Sequence, residues 1–348
     1  MIFYFLLLGY TLLLLICYNL TRNRLFLNLV FLGLIIFSGI RYNVGVDYMS
    51  YREMFLAIKK EVAPFTFEPA NMLIIKVINL LDIDCQVIFF VYSTITMFCV
   101  YYFINKLSPI KEISIIIFFM SGIYYLSTFN GIRQWVAIGI SAVALVKLIE
   151  SKYSQFIFLI ILSSLFHLSA IVLLVLLFCR YRYKKIHLFI TLSILLIMSK
   201  LFMHLIIISK YSIYINLIRF DNKGNPLLLL LYITIMIYIL FYMGYFSKKV
   251  FLSNTEVVLI NMNILSIFEI IIAYILNIDF LTTMRLNMYF QIQLIILLPM
   301  MLLKIKNTLS RAILIYSGFC FLFFYYFYIL YFKGEIYNLV PYKTIISI

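Results

Sequence analysis

The sequence predicts an all-α, polytopic integral membrane protein, and three observations predict it. First, 66% of the 348 residues are hydrophobic and only 12% are charged, with a mean hydropathy of +1.10. A soluble fold of this length has too little polar surface to cover so apolar a chain. Second, apolar runs of about 18 or more residues recur from end to end, each enough to cross a hydrocarbon core of about 30 Å. Third, the alternating segments of about ten residues that mark a transmembrane barrel are absent.

Candidate spans are 2–19, 25–40, 86–104, 113–128, 132–149, 154–179, 186–204, 227–246, 255–276, 286–303 and 311–331. Allowing for broken helices, about 10–12 transmembrane or re-entrant segments are expected, in a single transmembrane domain, 1–348. The first run, "MIFYFLLLGYTLLLLICYNL", lacks a basic leader and a small-residue cleavage site, so it reads as a retained helix.

The formal charge of +15 comes from Lys and Arg in short loops, as the positive-inside rule expects, and does not call for nucleic acid. Arg22 and Arg24 place the first loop in the cytoplasm and residues 41–85 outside. A second outer loop is expected at about 205–226. The basic run "RYRYKK", 180–185, breaks the alternation. Either 69–81 is an extra crossing, or 154–179 is a hairpin broken near "SSLFHLSA". The hairpin is preferred. It keeps Lys248, Lys249, Lys304, Lys306 and Arg311 inside and carries His167 to the outer face. The five cysteines (17, 85, 99, 179, 320) form no CxxC pair and read as packing residues. Histidines 167, 187 and 204 lack metal-site spacing, and no phosphate-binding glycine motif occurs. No metal and no cofactor is expected.

Polar residues at the outer face are the candidate site. In "RYNVGVDYMSYREMF", 41–55, Gly45 permits a turn and Asp47 can N-cap the helix that follows. Tyr48, Tyr51, Phe55, Ile58 and Val62 then form an apolar stripe, so the helix should lie on the outer leaflet. Arg41 reads either as a snorkelling cation or as part of a site. In "FNGIRQWVAIGI", Arg133 opens a helix at the outer face, a poor place for a cation but a good one for binding an anion. Ala137, Ser141 and Ala144 give that helix a small-residue face. "LTTMRLNMYFQIQ" repeats the arrangement, with Thr282, Arg285, Tyr289 and Gln293 on one side. His167 sits one turn after Ser163 and Ser164. Glu269 is an intramembrane carboxylate, a functional candidate by default. Glu68 in "FEPANML" and Lys343 in "VPYK" add charge at the outer face.

Taken together and in order, "RYNVGVDYMSYREMF", "FEP", "NGIRQWVA", "LFHLSA", "RLNMYF" and "VPYK" resemble the EpsG-type family of Wzy-like polysaccharide polymerases. Lys76 interrupts the helix after "FEP", a departure from the family pattern. The resemblance implies a GT-C-like glycosyltransferase, multi-pass in the bacterial cytoplasmic membrane. It would join undecaprenyl-diphosphate-linked oligosaccharide repeat units at the outer face. Arg133 and Arg285 would hold the diphosphate, assisted by Arg41. His167 and Asp47 would serve the acceptor hydroxyl, with Glu269 behind them. Tyr48, Tyr51, Glu68, Gln134, Tyr289 and Lys343 would complete the binding set. The lipid bilayer, a flippase and a chain-length regulator are the implied partners. The rivals are a lipid-linked sugar flippase, a membrane acyltransferase and a non-catalytic assembly subunit.

Overall fold

The computed structural model describes residues 1–60, 68–184, 240–247, 250–275 and 280–345, with isolated positions between 190 and 238. The helices are α1 (Ile2–Thr21), α2 (Leu25–Gly39), α3 (Tyr48–Lys59), α4 (Pro69–Leu80), α5 (Gln86–Leu107), α6 (Lys111–Met120), α7 (Ile132–Ile149), α8 (Tyr153–Ser164), α9 (Asn254–Ile275), α10 (Phe280–Gln291), α11 (Leu294–Leu303) and α12 (Thr308–Tyr328). Short 3-10 segments cover Leu126–Phe129 and Leu168–Phe178, and a π turn, Ile329–Lys333, follows α12. No strand occurs among the described residues. The protein is all-α, as composition predicts.

Five of these helical stretches are long and apolar enough to cross a bilayer: Ile2–Thr21, Gln86–Leu107, Ile132–Ile149, Asn254–Ile275 and Thr308–Lys333. The pair Thr283–Gln291 and Leu294–Leu303, bent by 46°, makes a sixth if it is one broken span. Several expected spans differ in detail. The run 113–128 is not one helix: α6 stops at Met120, and Gly122 turns the chain at φ 75°. A Cβ there would meet Ile329 Cδ1 at 2.0 Å. The run 154–179 breaks at Leu165–His167, where the hairpin reading put its tip. Segment 69–81 becomes α4, whose 12 residues reach only about 18 Å at 1.5 Å per residue. That is too short to cross. Most of the expected spans 186–204 and 227–246, the loop 205–226, residues 61–67, His187, His204, Lys248 and Lys249 lie outside the described residues.

The chain forms two compact units. One comprises Met1–Val172 and Leu298–Ile348, the other Leu173–Leu297. In the first, α5 and α7 lie at the centre, with α2 against α5 and α8 against α7. Small side chains permit the close approach. A Cβ on Gly139 of α7 would stand 3.1 Å from Cys99 Cβ and 3.4 Å from the Thr96 backbone. On another face of α7, Ser163 donates to the Ala137 carbonyl at 2.7 Å and pairs with Ser141 at 2.9 Å. This is the small-residue helix contact that a bilayer favours.

The first unit has two chemically distinct ends. Gln86, at the start of α5, donates to the carbonyls of Gly39 and Arg41, at the end of α2. Gly131, at the start of α7, bonds Asp47, and the segment after α12 bonds residues 40–45. All these belong to one end. At the other lie Arg22, Arg24, Lys106, Lys111, Lys147, Lys152, Lys304, Lys306 and Arg311, nine basic residues against two acidic ones, Glu112 and Glu150.

In the second unit, α9 packs on α10 through polar side chains. Ser266 donates to Asn287 Oδ1 at 2.7 Å, and Gln293 donates to Asn263 at 3.0 Å. Asn261 donates to the carbonyls of Cys179 and Tyr181 at 2.7 and 2.8 Å. Arg182, from the basic run, donates to the carbonyls of Gly244, Tyr245, Ser247 and Val250. That arginine therefore ties backbone together, whatever its loop contributes to topology.

Candidate functional site

The site is built around the first turn of α7. Gly131 precedes it at φ 63°, a left-handed conformation that glycine adopts without the cost a Cβ brings. Such a helix start exposes backbone N–H groups with no partner inside the helix. Asp47 supplies one: its Oδ2 accepts from the Gly131 N–H at 2.6 Å. The sequence suggested Asp47 would cap its own helix. It does stand at the N-cap of α3, but makes no side-chain bond there and instead caps α7, 84 residues away. A carboxylate at a helix N-terminus is also favoured by the helix dipole.

The same loop is zipped to α7 at neighbouring positions. Asn130 Oδ1 accepts from Val46 N–H at 2.6 Å. Gly45 holds φ 93°, and a Cβ on it would lie 2.3 Å from the Phe129 carbonyl oxygen. Only glycine fits so close to backbone. From the far side the C-terminal segment straps the loop. Gly45 N–H donates to the Asn338 carbonyl at 2.7 Å, and Tyr42 N–H to that of Lys343 at 2.9 Å. Asn338 Nδ2 donates to the Asn43 carbonyl at 3.1 Å. Lys343 thus serves through its backbone, while its side chain is exposed.

Arg133, one residue into α7, is held on two sides. Its Nε donates to the Tyr51 hydroxyl at 2.8 Å, and its Nη1 to Glu68 Oε2 at 2.5 Å. The Arg133 and Glu68 side chains are 26% and 23% exposed, so the pair is neither sealed nor fully in solvent. Tyr51 is buried, and burial raises its phenol pKa although Arg133 opposes the shift. The phenol therefore stays neutral: it accepts from Arg133 and keeps its own proton to donate.

A residue that sequence reasoning missed holds Glu68 in place. Asn71, fully buried in the first turn of α4, donates from Nδ2 to Glu68 Oε2 at 3.3 Å and to the Phe166 carbonyl at 2.7 Å. Its Oδ1 accepts from Tyr92 at 2.9 Å, and Ala70 N–H bonds the Leu165 carbonyl at 3.1 Å. The break at 165–167 is thereby docked on the start of α4, beside the Glu68–Arg133 pair. His167 stands at this junction, with Nδ1 2.6 Å from Ser169 Oγ. The signal available in "EPANML" was an amide on the buried side of a short apolar helix.

Other expected members are placed differently. Tyr48 is 1% exposed, stacks on Phe89 at 4.3 Å and donates to Gln86 at 2.7 Å. Burial pushes its phenol up to about 12. It packs α3 onto protein rather than presenting a ring to sugar or lipid. With Tyr51 and Phe55 also buried, the stripe of α3 faces helices, which corrects the expectation of a leaflet-bound helix. Arg41 is also 1% exposed, so a diphosphate does not reach it in this arrangement. Gln134 is buried.

Glu269, Arg285 and Tyr289 belong to the second unit. Glu269 accepts from Asn287 Nδ2, which also donates to the Ser266 carbonyl at 2.8 Å. Arg285 is exposed, whereas Tyr289 and Gln293 are fully buried. The expected common stripe is divided within α10 itself, where Arg285 and Tyr289 differ in burial one turn apart; and because α10 begins at Phe280, Arg285 lies in its interior and does not open a helix. The side chain of Thr282 lies outside the described residues. Among the described residues no group of three or more His, Cys, Asp or Glu side chains is placed to hold a metal ion.

No curated protein and no solved structure matches the chain. A family model, EpsG family, matches residues 24–344, which takes in the Asp47 loop, the Glu68–Arg133 pair and the C-terminal strap. This chain therefore belongs to the EpsG family, of polysaccharide polymerase-like membrane proteins.

Proposed function

We propose that the protein is a glycosyltransferase that polymerises oligosaccharide repeat units carried on a lipid diphosphate at the outer face of a bacterial cytoplasmic membrane. The observation that carries this reading is the partly exposed Arg133–Glu68 pair at the first turn of α7, with Tyr51 and His167 beside it. The basic end of the first unit is the cytoplasmic one under the positive-inside rule, so this cluster faces outward, where lipid-linked units are joined.

The reaction forms a bond between an acceptor hydroxyl oxygen and the anomeric carbon of the growing chain. The bond from that carbon to the lipid diphosphate breaks, and the diphosphate leaves with the electron pair. Arg133 meets the charge that develops on the leaving group with its guanidinium, at a helix start whose dipole favours an anion. An incoming diphosphate competes with Glu68 for that guanidinium. Glu68, released from its pair but still held by Asn71, is then the carboxylate that takes the acceptor proton. His167 orients the acceptor from the same junction. Asp47 is committed to Gly131 and keeps α7 in place rather than moving a proton.

The test is purified full-length protein with lipid-linked repeat units. Polymer with release of lipid diphosphate is the expected outcome. Intact units merely transferred between leaflets would establish the flippase instead.

A further inference from the structure

Arg41 is a cation without a counter-charge. It is 1% exposed, and burial lowers its pKa to about 10, so it remains charged at neutral pH. No carboxylate among the described residues lies within ion-pair distance of it. Nη1 donates to the Ser38 carbonyl at 3.1 Å and to Ser38 Oγ at 2.7 Å. Phe129 and Phe89 meet the guanidinium at 4.5 and 5.1 Å from their ring centroids. Nε and Nη2 are buried and have no hydrogen-bond partner among the described residues. A buried ion left in this state is destabilising, and two ring contacts do not offset that cost.

The guanidinium lines a small cavity of about 10 Å³, shared with Ser38, Tyr92, Ser93, Thr96 and Thr128. This is space for one particle of roughly water size, and a halide, somewhat larger than water, seats with a small outward shift of the lining. Tyr92 and Thr128 already donate elsewhere, to Asn71 and to the Tyr125 carbonyl. Ser38 Oγ accepts from Arg41, which leaves its proton for an acceptor in the cavity. Two N–H-bearing nitrogens and a hydroxyl are the chemistry of an anion site. A water would satisfy those donors but leave the charge, whereas a small anion meets both needs. A phosphate is too large for the space.

We propose that Arg41 and Ser38 hold a single small monovalent anion of the halide class, bound inside the first unit as a structural counter-ion. The site is independent of the glycosyl-transfer reading, because it forms beneath the loop and holds no substrate. Its expected effect is to stabilise the end of α2 and the start of the 41–47 loop.

The experiment measures thermal unfolding of the full-length protein in zwitterionic nanodiscs, titrated with sodium chloride, sodium bromide or sodium gluconate at constant ionic strength. Chloride and bromide should raise the unfolding temperature saturably, by roughly 2–4 °C, and gluconate should not. Ser38→Ala should raise the half-saturating chloride about tenfold, as loss of one hydrogen bond to a charged group implies. Arg41→Met should abolish the response. Should that variant not fold, Ser38→Ala and the anomalous signal of bromide beside Arg41 in wild-type crystals decide. Equal stability in all three salts, an unchanged chloride response in Ser38→Ala, or water in place of bromide would each overturn the proposal.

Discussion

Arg133 is the residue on which the proposed chemistry turns. Replacing it with alanine removes the cation and leaves Glu68 half-buried without its partner. Truncating one member of such a pair costs about 2–5 kcal/mol in binding, so activity should fall by more than about thirtyfold. Polymer length on gels, read against protein abundance in membranes, checks this, and wild-type chain length would refute the role. Arg133→Lys should also be poorly active, since a lysine cannot span Tyr51 and Glu68 with one planar fork. Glu68→Gln separates the two carboxylates near α7. It should abolish turnover while lipid-diphosphate binding survives, whereas Asp47→Asn should retain much of both. Arg133 was legible in the sequence as a misplaced charge at a helix start, whereas Arg285, expected at another, lies inside α10, which begins at Phe280. Asn71 was not, because one amide in an apolar helix has many satisfied roles and only folding put three partners around it.

The 41–47 loop and the start of α7 are joined by two side-chain-to-backbone hydrogen bonds and by the close approach of Gly45 to the Phe129 carbonyl. Gly45→Ala would drive a Cβ against the Phe129 carbonyl at a φ that alanine resists. It should lower the unfolding temperature and disable polymerisation together. Asp47→Ala loses the cap of α7 and should cost about 1 kcal/mol of stability, visible as a lower thermal midpoint. The sequence pattern located these elements well: α1, α2, α5, α7 and α9 begin within a residue or so of the expected positions. It misplaced α3, because a stripe of Tyr48, Tyr51 and Phe55 fits a lipid surface and a protein surface equally. The stacking of Tyr48 on Phe89 and its bond to Gln86 chose protein.

For the first unit as a whole, the C-terminal strap matters most to the site. Residues 338–345 bond the backbone at Ile40, Tyr42, Asn43 and Gly45. Tyr342 stacks on Phe37 at 4.1 Å. Deleting residues 334–348 should therefore release the loop that caps α7 and reduce polymer even though Arg133 and Glu68 remain. Protease sensitivity of the 41–47 region would report the release. Orientation is tested by single cysteines in a cysteine-free background. Asp82→Cys should be labelled by an impermeant reagent from outside, and Arg24→Cys only after permeabilisation. The reverse pattern would place the Arg133 cluster in the cytoplasm and defeat the proposed site of polymerisation.

Composition and run length by themselves determined that this is an all-α membrane protein, because apolar surface on this scale is tolerable only in lipid and only as helices with internal backbone bonds. Charge patterning and the ordered motifs identified the residues worth testing. The partners were decided only by tertiary structure. Asp47 has the same local sequence whether it caps α3 or α7, and Arg41 looks alike at an interface or sealed between Phe89 and Phe129. Burial and long-range hydrogen bonds distinguish these outcomes, and both depend on residues tens to hundreds of positions away. A local pattern carries no record of them.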